Sequence, residues 1–147
     1  MIEAALFVPA VATMLGAAGA VASPTKGSVS ITVSGLHSTK GALVLCLWKD
    51  KQGFPACQKS RTALRRRVAV TAPSMLVRLD DIVPGQYAVT VQHDENNDGK
   101  LQTNFIGMPK EGVGVSNNPR GMPGFSKSLI AITSGSAITI RMKYLFQ

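Results

Sequence analysis

Residues that carry chemistry are scarce in this chain. Among 147 residues there are two cysteines, two histidines and eight acidic side chains. Two cysteines and two well-separated histidines, His37 and His93, form no zinc signature, and the spacing of Cys46 and Cys57 excludes a C-x-x-C redox pair. There is no Gly-x-Ser-x-Gly elbow, zinc-protease helix motif, Walker loop or dinucleotide-binding glycine pattern. One acid, Glu3, falls in the N-terminal segment; of the other 8 − 1 = 7, four (Asp94, Glu95, Asp98 and Glu111) crowd at or around one turn. That distribution does not set two carboxyls across a cleft, as glycoside hydrolysis requires. Internal repeats and a convincing amphipathic helix are also missing beyond the N-terminal segment. These absences argue against an enzyme.

The first 22 residues read instead as an export signal. Positions 6–21 are apolar and rich in small residues, and Ala20-Val21-Ala22 before Ser23 is a small-x-small cleavage site. The leading MIEA carries Glu3 and no Lys or Arg, which departs from the usual basic start. An uncleaved anchor is the competing reading, but the run is short and studded with Ala and Gly, so cleavage is favoured. Cleavage after Ala22 leaves 147 − 22 = 125 residues, enough for one domain, residues 23–147. It also raises the formal charge from +8 to +9. An exported basic surface suits anionic glycan, anionic lipid or an envelope protein, and not nucleic acid, unless the charge serves only solubility. Export likewise favours a disulfide between Cys46 and Cys57, with Gly53 and Pro55 turning the chain between them.

Hydropathy then alternates with period two. Val29, Ile31 and Val33 alternate with Ser30, Thr32 and Ser34; 42–48 is a continuous apolar run that suits a buried strand. Strand patterns recur at 66–71 and 75–79, and Pro84-Gly85 marks a turn. Tyr87, Val89, Val91 and His93 share one face of the next strand, so that Asp94 is expected on the solvent side at its end. After a long irregular loop, 128–132 and 138–144 read as the last strands. The prediction is all-β, an antiparallel β-sandwich of about seven strands, immunoglobulin-like in its strand count and turn spacing.

The loop 94–125, rich in Gly, Pro and Asn, is the most informative stretch, because compact domains rarely keep so long an irregular loop unless it binds something. The segments IVPGQYAVTVQHDEN and NNDGKLQTNFIGMPKEGVGVSNN, with the final strand, resemble a bacterial family of small exported proteins catalogued as domain of unknown function 2141. The ordered motif HDEN-x-x-GK-x-x-x-N-x-x-G-x-P-x-EG-x-G-x-SNN carries the resemblance, which covers most of residues 23–147; Gln102 and Thr103 stand where the family commonly has an acid. The resemblance implies a sandwich similar to transthyretin-like and carboxypeptidase-regulatory-like domains, and it implies no activity.

Three groups in the loop are candidate sites. Asp94, Asn96 and Asp98, followed by Gly99, alternate as calcium ligands do, with Lys100 offering a carbonyl and Glu95, Asn104 or Glu111 completing the sphere. The twelfth position is Phe105 rather than a bidentate Glu, and a metal-free turn closed by its own side chains competes with the calcium reading. His93 reads as a core-edge histidine bonded to the loop in preference to a catalytic base, and His37 shows no partner. Ser116, Asn117 and Asn118, with Asn104 and Arg120, either line a ligand pocket or cap the loop's own backbone. The functional expectation is an exported envelope binding or accessory module, with calcium as a candidate cofactor at 94–98 although the self-bonded turn is favoured there; the alternative is a structural or protein-interaction module whose loop bonds to itself and holds no metal.

Overall fold

The computed structural model describes Gly16 and residues 19–146. The expected export signal, 1–22, lies for the most part outside the described residues. Eight strands follow: β1 Gly27–Ser34, β2 Ala42–Trp48, β3 Leu64–Ala69, β4 Met75–Ile82, β5 Gly85–Asp94, β6 Gly112–Val115, β7 Leu129–Ile132 and β8 Ser136–Arg141. Among the described residues the only helical pieces are 3-10 turns at Cys57–Lys59 and Ser126–Ser128. One sheet has the order β4-β1-β8; the other runs β3-β2-β5, with β6 and β7 sharing the outer edge of β5. β6 pairs with Thr90–His93 and β7 with Gly85–Ala88.

The all-β sandwich is as the alternating hydropathy predicts. Val29, Ile31 and Val33 of β1, Leu43, Leu45 and Leu47 of β2, and Tyr87, Val89 and Val91 of β5 meet in one core between the sheets. One pair departs from the antiparallel expectation: β1 and β8 run parallel, in register from Val29↔Ser136 to Ser34↔Arg141. These are the first and last strands, so no tight turn joins them and nothing local forces an antiparallel pair.

All seven residues of β2 are buried because both of its faces are covered. The outer face carries Val44, Cys46 and Trp48, which pack under Cys57, Phe54 and Phe125. The Cys46–Cys57 disulfide forms as expected and ties the 49–63 loop down over this face. The indole N–H of Trp48 donates to Thr90 Oγ1 at 2.9 Å, which satisfies the one polar atom of a fully buried ring.

The strand β6 was not foreseen in what reads as irregular loop. Beyond Arg141 the chain leaves the three-stranded sheet and crosses to β6, where Val113 and Lys143 exchange both backbone hydrogen bonds at 2.9 Å. The crossing requires glycine on β6. A Cβ on Gly112 would lie 2.2 Å from the Tyr144 ring, and one on Gly114 would lie 2.5 Å from Ile140. The alternating glycines of GVGV are therefore the close-packed face of a strand, and the two sheets are stitched together at this corner.

Candidate functional site

Strand β5 ends on two buried polar residues facing opposite ways, and everything at the site is built around them. His93 faces the core and is fully buried. Its Nε2 lies 2.8 Å from the Lys40 carbonyl, which can only accept, so Nε2 carries the proton. Nδ1 then accepts from the Tyr144 hydroxyl at 2.7 Å, and that hydroxyl accepts the His37 backbone N–H at 3.2 Å. Burial, and secondarily the charge of Glu95, hold the Tyr144 phenol above its ordinary range against the His37 bond. The core-edge placement of His93 fits this geometry, but its hydrogen-bond partners are Lys40 and Tyr144, outside the 94–125 loop to which it was expected to bond. His37, expected without a partner, stacks on Tyr144 with ring centroids 3.6 Å apart.

Asp94 corrects an expectation. It was expected on the solvent side, yet it is 0% exposed. It does sit on the outer face of the sheet, but Arg67 of β3 and the turn after β5 close over it. Arg67 Nη1 donates to Asp94 Oδ2 at 2.7 Å, and the same guanidinium donates to Asn97 Oδ1 at 2.6 Å. The Gly99 and Asp98 N–H groups donate to the two Asp94 oxygens at 2.9 and 3.1 Å. Arg65, two residues along the same face of β3, donates to the Gly99 carbonyl at 3.2 Å. Two of the three consecutive arginines thus clamp the turn, and their charge does more than keep an edge strand hydrated.

Within the turn Asn96 Oδ1 accepts the Asp98 N–H at 3.1 Å, an Asx turn, and its amide nitrogen donates to Asp98 at 3.2 Å. Asp98 is held below the ordinary carboxylate range, first by the Lys100 N–H bond and then by Gln102. One carboxylate oxygen from each of Asp94, Asp98 and Glu111 lies within 4.8 Å of the others. Burial pushes the Glu111 carboxyl up; a hydrogen bond from Gln92 at 2.7 Å opposes this, and the charges of Asp94 and Asp98 add to it. Gln92 also donates to the Lys100 carbonyl at 2.6 Å, the oxygen that the calcium reading assigned to the cation.

The remaining candidates satisfy backbone. Asn104 Oδ1 accepts the N–H groups of Ile106 and Met108 at 3.1 and 3.0 Å, closing a small hairpin over 102–110. Ser116 is buried; it accepts the Val89 N–H at 2.9 Å and donates to the Ser128 carbonyl. Asn117 donates to the carbonyls of Lys127 and Leu129 at 3.2 and 2.9 Å. Asn118 donates to Thr139 O at 3.0 Å and accepts from Arg141 N at 2.7 Å, so its carboxamide pairs with the free edge of β8 as another strand would. Arg120 is exposed beside this cap.

What the sequence reading did not find is a cleft. It measures about 290 Å³ and runs between the 108–123 part of the chain and the end of the last strand with the chain after it, 141–145. Met108, Pro109, Val113, Met122 and Leu145 line it, with Arg141 and Lys143 among the lining residues. Lys143 Nζ donates to the Pro119 carbonyl at 2.6 Å and so fixes one wall. The clue in the sequence is the pair Met108 and Met122, apolar side chains within a loop that reads as having no strand to bury them.

The bacterial family described as uncharacterized protein conserved in bacteria (DUF2141) matches residues 31–140 of this chain. No curated protein and no solved structure matches it.

Proposed function

We propose that this chain, which belongs to the DUF2141 family of bacterial proteins, is an exported cell-envelope binding module that takes its ligand on the face built by the 94–125 loop and the end of the last strand. The apolar cleft between Met108, Met122 and Leu145 carries this reading. Concave apolar surface with a few polar groups at its margin is the usual form of a binding site. Here two cations, Arg141 and Lys143, stand against one acid, Glu111, which Gln92 already bonds, and favour an apolar segment that bears a negative charge. The signal-like segment 6–21 supports export.

Methyl NMR on the methionines tests the cleft with decanoate, an anionic alkyl chain, as probe. The Met108 and Met122 signals are expected to shift and saturate, while Met75, on the opposite sheet, stays in place. A Leu145→Asp variant should weaken the response about tenfold, since a buried side chain of that size is worth about 1.5–3 kcal/mol. Unmoved Met108 and Met122 signals at millimolar decanoate would remove the cleft as the ligand site.

The alternative, a structural or protein-interaction module, draws support from how completely the loop spends its polar side chains on its own backbone and on the strands beside it. For the 94–98 turn in particular, Arg67 supplies the positive charge that calcium would bring. Calcium at millimolar concentration is therefore expected to leave the melting temperature within about 1 °C of its value in chelator. A rise of several degrees that Asp98→Asn abolishes would instead assign a cation to the Asp94, Asp98 and Glu111 carboxylates.

A further inference from the structure

The 102–110 hairpin holds two large apolar side chains out in water. Phe105 is 99% and Ile106 63% exposed. They occupy the two central positions of a turn whose ends are joined by Gly107 N–H to Asn104 O at 3.0 Å, with Asn104 N–H to Met108 O at 2.9 Å and Lys110 N–H to Gln102 O at 2.9 Å behind it. Asn104 Oδ1 adds its two bonds from inside the turn. Gly107, at φ +81, gives the turn its exit conformation. This set fixes the backbone of the tip, and both side chains stand outward from it. Central turn positions ordinarily go to polar residues or glycine, and an apolar pair locked there marks a contact.

The charge of the face that carries the tip indicates the partner. Residues 94–146 contain six basic side chains (Lys100, Lys110, Arg120, Lys127, Arg141 and Lys143), all exposed. Against them stand four acids, of which Asp94 is buried against Arg67 and Glu111 is half-buried and bonded to Gln92. The stretch carries 6 − 4 = +2, and Arg65 and Arg67, which clamp its turn, bring the face to +4. A basic face that presents a rigid apolar point is complementary to an anionic bilayer, where apolar groups enter the interface and cations stay among the headgroups.

We propose that the 102–110 hairpin docks the protein on a membrane rich in anionic phospholipid, with Phe105 and Ile106 inserted at the bilayer interface. This names the partner of the binding face proposed above and rests on that reading for its location. Its test is separate: sedimentation of the protein with vesicles of phosphatidylcholine alone or mixed with phosphatidylglycerol, for the wild type and a Phe105→Ser/Ile106→Ser variant. Serine suits both turn positions and leaves the backbone bonds in place, so the variant should melt with the wild type.

The wild type is expected to bind the phosphatidylglycerol vesicles at least about tenfold more tightly than the neutral ones, and less at high salt. The variant should lose about tenfold or more of that affinity. Absent binding to the anionic vesicles, or equal binding by both proteins, would overturn the proposal. So would wild-type self-association without vesicles that the variant lacks, because a second copy would then cover the tip. Methionine signals that still respond to decanoate after such a failure would leave the cleft reading standing.

Discussion

Replacing Gly41 by alanine is expected to lower the stability of the fold by about 2–5 kcal/mol and its melting temperature by roughly 7–17 °C. Gly41 lies just before β2 at φ +70, and a Cβ built there would fall 2.0 Å from the Asp94 carbonyl oxygen and 2.6 Å from the Glu95 Cα. Both are backbone atoms, so no side chain can swing aside to make room. Alanine at positive φ costs roughly 1–2 kcal/mol, and forcing packed chain apart costs about 1–3 kcal/mol more. The same displacement would pull on the neighbouring Lys40 carbonyl, which accepts from His93, and would loosen both polar residues at the end of β5. Gly135→Ala is the control: Gly135 has φ +81 with nothing within 4 Å, so only the backbone strain should appear. Urea unfolding of the two variants gives the comparison. Equal losses would show that the close approach of Gly41 to β5 contributes nothing.

That contact illustrates where the sequence is informative and where it is silent. Period-two hydropathy located β1, β4 and β8 because each has one more deeply buried face, and the unbroken run of β2 correctly implied burial on both faces. The same alternation put His93 on the core face. It failed for Asp94, since alternation assigns a side of the sheet but cannot tell whether that side is covered. The cover comes from Arg67, 27 positions earlier on a strand two places away in the sheet. Strand β6 was missed because its core-facing positions are Gly112 and Gly114, which carry no hydropathy signal and matter only through Tyr144 and Ile140. Ser116, Asn117 and Asn118 were legible as a polar cluster with two open roles. Their work on backbone groups of β5, β7 and β8 depends on pairings that no local pattern encodes. The cleft is hidden for the same reason: Met108, Met122 and Leu145 meet only because Val113 and Lys143 bridge the sheets.

The Cys46–Cys57 bridge should show the second large effect. It spans 11 positions and joins the buried outer face of β2 to the loop that covers it. Constraining an unfolded loop of that size stabilises a fold by about 3 kcal/mol in the chain-entropy model. For a domain of this length, confirmed reduction should therefore lower the melting temperature by roughly 10 °C. An unchanged melt would sink the structural role. The chain's one tryptophan, Trp48, reports what happens to the cover. It packs edge-on to Phe54 at 5.3 Å, and Phe54 packs edge-on to Phe125 at 5.8 Å. Those contacts do not depend on the disulfide bond itself, so Trp48 emission at 25 °C is expected to stay blue in the reduced protein. A red shift on reduction, well below the melting transition, would mean that the bridge alone holds the 49–63 loop down. In that case the loss of stability would come from exposing Val44, Trp48 and Ala88 in the folded state rather than from freeing the unfolded chain.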